Sequence, residues 1–295
     1  MKNTGGEKMG VQNERMEEQW TAVIEPKTAL LDIPVKELWQ YRSMIFMLVK
    51  RNYQIQYKQT ILGPLWIILN PIFSSGLFSL VFGYVGKFQS GNIPYFLFYM
   101  SANVLWSFFA GCVNGNTGIF SNNTQLFGKI YFPRLVVPVS QVLFELVRLL
   151  IQMMVFLVVW CVYLAQGETS FTGPYLLLVP FLVLEAGLLG MAMGMIVSSL
   201  TIRYRDLSHF MNFGMQLLMY ASPVLYPISQ LPDFLQKLVL LNPMASVVEA
   251  FRFCLTGSGM IHRGALLYSA AITGVILFLG MILFNQTEKN FIDVV

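Results

Sequence analysis

Charge is scarce in this chain. Of its 295 residues only 12% are Asp, Glu, Lys or Arg, while 56% are hydrophobic and the mean hydropathy is +0.61. A soluble domain carries about 25% charged residues, so half that content with this hydropathy excludes an ordinary soluble fold and marks an integral membrane protein. Cysteine is scarce as well. Cys112, Cys161 and Cys254 are widely spaced, and Cys112 and Cys161 fall inside apolar runs, which excludes a disulfide framework or a metal-ligand spacing. His209 and His262 are the only histidines, expected on opposite membrane faces, and they assemble neither a triad nor a metal site. No G-x-x-x-x-G-K-[ST] loop occurs, so the chain has no such device for binding ATP. A net charge of +4 suits loop cations meeting anionic lipid better than nucleic-acid binding. Internal repeats and low-complexity tracts are missing, and residues 1–37 are too polar for a secretory leader.

What the chain does have is organised around residues 50–71. Lys50, Arg51 and Lys58 precede the first long apolar run, and no charged residue follows Lys58 until Lys87. Lys and Arg cluster on the cytoplasmic side of spanning helices, so this stretch reads as a chain entering the bilayer from the cytoplasm. Residues 1–35 read as a cytoplasmic extension broken by Pro26 and Pro34. Over 36–58, Lys36, Gln40, Ser43, Lys50, Arg51, Gln54 and Lys58 fall on one helical stripe, with Trp39, Ile45, Phe46, Leu48, Val49, Tyr53 and Tyr57 on the other side. That pattern predicts an amphipathic helix along the membrane surface.

The expected fold is an all-α integral membrane protein with six transmembrane helices, at about 62–85, 95–113, 135–164, 175–200, 209–228 and 265–284. The first carries Pro71, which should kink it. The third is about 30 residues, or ~45 Å of helix, and must tilt or protrude. Gly187, Gly190 and Gly194 on the fourth would let another helix approach closely. Loop cations Lys129 and Arg134, then Arg203 and Arg205, place both termini in the cytoplasm. The 229–264 segment has two apolar pieces broken at Asn242-Pro243, each too short to span, and reads as short re-entrant helices in the outer leaflet.

Charged residues at membrane depth are costly and therefore informative. Glu145 and Arg148 are three apart on one helix and can pair. Glu185 stands alone in the fourth span and must face a partner or water. Glu249 and Arg252 form a second pair three apart, expected to be exposed and of little energetic value. Phe234, Leu238 and Phe251 are expected to seal an outer gate with that pair. The cytoplasmic segment 121–134 is longer than a connector needs. It is expected to hold a short helix capped by Ser121 or Asn122 and ended by Pro133, a natural docking knob.

Several stretches then identify a family. YKQTILGPLWIILNP (57–71), IPYFLF (93–98), KIYFPRLVVP (129–138), IRYRDL (202–207), SPVLYP (222–227), LNPM (241–244) and EKNFIDVV (288–295) resemble the membrane subunits of bacterial ABC exporters for cell-surface polysaccharides. The likeness is to Wzm-like O-antigen permeases, with teichoic acid exporter permeases as close relatives, and it covers about 36–295. It implies a homodimer of permeases in the cytoplasmic (inner) membrane, joined to two separate ATPase subunits that bind ATP and Mg. It implies no cofactor in this chain and a lipid-linked polysaccharide as substrate. It implies a cytoplasmic gate helix with Lys50, Arg51, Tyr53, Tyr57 and Lys58, and ATPase coupling through Gln125, Phe127, Lys129, Tyr131 and Arg134. A membrane-embedded transferase is the distant alternative, and would need an intramembrane His or Asp beside a donor site. A proton-driven carrier would favour inverted repeats and several midplane acids.

Overall fold

Long apolar runs leave the backbone no solvent partner in a bilayer, so helix is the expected outcome. In the computed structural model the described residues are 35–292, apart from 59, 92, 128–131, 170, 171, 203 and 205. The expectations placed on 1–34, Lys129, Tyr131, Arg203 and Arg205, and on the side chains of Lys36 and Gln125, lie outside the described residues or side chains. Helix α1 (Val35–Gln40) and helix α2 (Arg42–Tyr57) come first, broken at Tyr41. Helix α3 (Leu65–Phe78) continues into a π-helical stretch, Ser79–Val85. There follow α4 (Tyr95–Thr117), two short turns α5 (Ile119–Asn122) and α6 (Thr124–Phe127), and α7 (Val136–Ala165). A 3-10 turn (Gly173–Leu178) leads into α8 (Val179–Thr201). The described residues end with α9 (Leu207–Tyr220), α10 (Asp233–Leu240), α11 (Pro243–Thr256) and α12 (Arg263–Ile292).

Among the described residues, five stretches are long and apolar enough to cross a membrane: Leu65–Val85, Tyr95–Thr117, Val136–Ala165, Gly173–Thr201 and Arg263–Thr287. Helices α10 and α11 together make a sixth apolar stretch, bent by 102°. The span expected over 209–228 is shorter than the sequence reading. Its helix α9 has 14 residues, about 21 Å of rise against the ~30 Å of a hydrocarbon core. Pro223 explains the stop, because it cannot donate to the helix ladder and its ring disfavours helical backbone at the residue before it.

Helix α4 is the axis of the bundle. From Leu97 to Phe109 every side chain but Ser107 is buried, against α3, α7, α8, α9 and α11. Polar groups inside it are matched: Asn103 Nδ2 donates to Ser74 Oγ at 2.7 Å and to Ser75 Oγ at 3.3 Å on α3. Helix α8 lies closest to α4, and its glycines make that possible. A Cβ at Gly190 would stand 2.6 Å from Cys112 Cβ and 3.0 Å from the Phe109 carbonyl, and one at Gly194 2.7 Å from the Val113 carbonyl. On its other side α8 packs along α12, with Gly280 against the Ala192 carbonyl. Helix α3 runs through Pro71 without interruption. Proline at 71 removes the donor that the Ile67 carbonyl would otherwise take, and Gln152 Nε2 on α7 reaches that carbonyl at 3.5 Å.

Candidate functional site

The two ends of the bundle differ. At one end α2 lies along α7, and Ile45 and Leu48 join Ile119, Phe120, Phe132, Val136, Met195 and Phe284 in one apolar cluster. The outward side of α1 and α2 exposes Trp39, Phe46 and Met47 together with Arg42 and Lys50. Apolar rings beside cations are what a headgroup layer accepts. Of the residues assigned to the gate helix, Lys50 and Lys58 are exposed, Arg51 and Tyr53 half-buried, and Tyr57 buried. The Tyr53 and Tyr57 rings sit 5.0 Å apart. Burial pushes the Tyr57 phenol above its ordinary range, against the opposing pull of the nearby Arg148 guanidinium. A groove of about 770 Å³ opens between α1–α2 and α7, lined by Leu38, Trp39, Gln40, Arg42, Ile45, Phe46, Val139 and Leu143.

The 121–134 segment departs from a single capped helix. Ser121 and Asn122 lie inside α5 rather than capping a helix, and the chain breaks at Asn123. Side chains cause the break. Asn123 Nδ2 donates back to the Ile119 carbonyl at 3.0 Å and Thr124 Oγ1 to the Phe120 carbonyl at 2.9 Å, a local alternative to continued helix. The segment is pinned inward by Phe120, whose ring centroid is 4.7 Å from that of Phe284. Phe127 lies between Phe120 and Phe132 in tilted contacts at 6.0 and 5.8 Å, with the Arg134 guanidinium 5.1 Å over its ring. Phe127 and the buried Arg134 therefore hold the segment's shape, and among its described side chains Ser121 and Asn122 are the exposed ones.

Within the membrane-depth helices, Arg148 Nη1 donates to Glu145 Oε2 at 2.7 Å. The carboxylate faces α4 at Gly111, where any Cβ would collide with it. Four residues earlier, Gln141 occupies the space beside Gly115. Glu185 accepts from the Ser269 hydroxyl on α12, which also reaches the Pro243 carbonyl at 2.8 Å. Sequence reasoning passed over Gln141 and Gln152. The signal was present: Gln141, Glu145, Arg148 and Gln152 fall on one helical stripe.

At the opposite end the Glu249–Arg252 pair corrects the expectation of an exposed pair. Arg252 is fully buried and Glu249 2% exposed, with Nη1 to Oε2 at 3.3 Å. Arg252 Nη2 also donates to the Pro223 carbonyl, and its guanidinium lies 3.9 Å over the Phe98 ring. The fold brings α4 and the turn after α9 onto this helix, which spacing within α11 alone does not reveal. Phe251 is a core residue with no exposed surface, whereas Phe234 and Leu238 on α10 are open. Asn242 caps α11, accepting from the Met244 amide at 3.1 Å and donating to Ser222 Oγ at 2.8 Å.

Helix α9 carries polar groups on its open side. His209, Asn212 and Gln216 are exposed beside Phe210, Phe213 and Tyr220. Such polar groups are poorly placed against lipid tails.

A family model described as "ABC-2 type transporter" matches residues 43–256. The O-antigen export system permease protein RfbA of Myxococcus xanthus is 29% identical over 262 residues, covering 88% of this chain and 98% of its own. A Klebsiella pneumoniae O-antigen export system permease protein RfbA is 27% identical over 254 residues, 85% of this chain and 95% of its own. The polysialic acid transport protein KpsM of Escherichia coli is 23% identical over 241 residues, 81% and 91%.

Proposed function

The chain belongs to the ABC-2 type transporter family, and from that premise we propose that it is the permease subunit of an ATP-driven exporter of a lipid-linked, O-antigen-type polysaccharide. The chain is a multi-pass protein of the cytoplasmic membrane and a transport permease rather than an enzyme. The observation that carries the substrate class is the match to O-antigen export permeases over 95% or more of their length. Higher identity and coverage favour that class over polysialic acid transport. In this reading two copies form the path. The open side of α9 faces it, and the 121–134 segment meets a separate ATPase that supplies ATP and Mg. The test is deletion of the gene in its own host. Lipid-linked glycan is expected to accumulate inside while the surface polysaccharide disappears, both restored by the gene in trans. Unchanged surface polysaccharide would overturn the substrate assignment.

The same reading puts α2 and the 121–134 segment in the cytoplasm and α10–α11 outside. Single cysteines at Asp233 and at Ser121, both exposed, test it in a background without Cys112, Cys161 and Cys254. A membrane-impermeant thiol reagent added to intact spheroplasts is expected to label the 233 position and spare the 121 position. The reverse pattern would invert the topology. Ser246 does not serve for such labelling, because it is 3% exposed.

A further inference from the structure

Two consecutive residues of α2 hold two different elements. Arg51 Nη2 donates to Asn123 Oδ1 at 2.9 Å, and Asn52 Nδ2 donates to Gln141 Oε1 at 3.0 Å. Asn123 is set for this role by its own Nδ2, tied to the Ile119 carbonyl at 3.0 Å, which turns its oxygen to α2. Gln141 begins the polar stripe on α7 that continues through Glu145 and Arg148 to Gln152, and Gln152 touches α3 at the Ile67 carbonyl. Polar contacts therefore run from the 119–127 segment through α2 to Gln141 on α7, whose polar stripe continues into the middle of the bundle.

Geometry gives these contacts a role that the surrounding apolar cluster cannot fill. Ile45 and Leu48 touch the same cluster as Ile119 and Phe120, but apolar contact is non-directional and tolerates sliding. A hydrogen bond fixes both distance and angle. A half-buried guanidinium that loses its acceptor is left with a desolvated donor, so the segment cannot shift along α2 without penalty. We propose that Arg51 is a positioning residue that makes α2 and the 119–127 segment move as one body. Asn52 then passes that motion to α7 through Gln141. A push on the short segment becomes a displacement of the interfacial helix and of the intramembrane polar stripe. The proposal rests on the reading that this segment meets the ATPase.

The test uses the full permease–ATPase complex in nanodiscs. Spin labels go on Ser43 of α2 and Ser121 of α5, both exposed, in a cysteine-free background that still exports. The expected result is one inter-label distance, unchanged between the nucleotide-free state and ATP trapped on a hydrolysis-deficient ATPase. Arg51→Ala is expected to broaden and shift that distance and to lower glycan exported per ATP hydrolysed by about five- to tenfold. Arg51→Lys, which keeps a donor, should restore both. Asn123→Leu should reproduce the loss, with the double variant no worse than either single. A wild-type distance that changes with nucleotide overturns the proposal, as does Arg51→Ala with unchanged distance and unchanged export per ATP. A photo-crosslinker at Ser121 separates the two readings. If it never captures the ATPase, the coupling assignment fails and this proposal with it. Capture together with a nucleotide-dependent wild-type distance sinks the one-body link alone.

Discussion

Arg252→Leu is expected to destabilise the protein by about 3–5 kcal/mol, the cost of breaking a buried ion pair from one side. Glu249, 2% exposed in the core of α11, would lose its guanidinium partner and keep only the backbone donors of Met260 and Ile228 and the nearby His262. The Pro223 carbonyl would lose a donor and the Phe98 ring its guanidinium. These three partners lie on α11, on the turn after α9 and on α4, so one side chain joins the ends of three elements. Unfolding in mixed detergent–SDS micelles measures the loss. Arg252→Leu combined with Glu249→Leu should recover most of it, because replacing a buried pair by apolar residues of similar volume is often neutral or stabilising. A single-variant loss below about 1 kcal/mol, the range of an exposed pair, would show that water reaches the site. Export measured at equal protein level separates a packing role, in which it follows stability alone, from the outer-gate role, in which the stable double variant still exports poorly.

This pair also marks where the sequence stops being legible. Spacing of three within a helix says that Glu249 and Arg252 can meet, but an exposed pair and a buried one look alike at that level. Burial is decided by Phe98 and Pro223, which are distant in sequence. The long helices were readable because a bilayer demands some 20 apolar residues in a row, and the structure places them within a few residues of the expectation. The short α9 was readable in principle from Pro223, yet apolar Val224 and Leu225 extended the run past the true stop. The glycines of α8 announce close packing, and α4 supplies the partner. Contacts between amides are the hardest to foresee. Asn52, Asn123 and Gln141 lower hydropathy only slightly, and nothing in their spacing says that three separate elements bring them together.

Arg148→Leu is the second large effect, and it bears on transport as well as stability. Glu145 lies 6% exposed by side chain, with Gly111 of α4 against its carboxylate and Arg148 as its partner. Losing the guanidinium leaves an acid at membrane depth whose charge has no local compensation. A loss of about 3–5 kcal/mol is expected. Adding Glu145→Gln should return most of it, since a neutral amide fits the same space without the charge. Gly111→Ala provides an independent probe of the packing, because its Cβ would fall 2.5 Å from Glu145 Cδ and drive the carboxylate away from α4. Double-mutant cycles in mixed micelles give the coupling between 145 and 148, and a value near zero would show that the two do not pair. Export separates structure from function. If the pair is only a neutralised core contact, the Glu145→Gln/Arg148→Leu protein should export at the rate of the unaltered chain once stability is matched. If the stripe through Gln141, Glu145, Arg148 and Gln152 carries motion from α2 to α3, that stable double variant should still export poorly. The second outcome is the one expected here, because the contacts at both ends of the stripe, Asn52 to Gln141 and Gln152 to the Ile67 carbonyl, reach different helices.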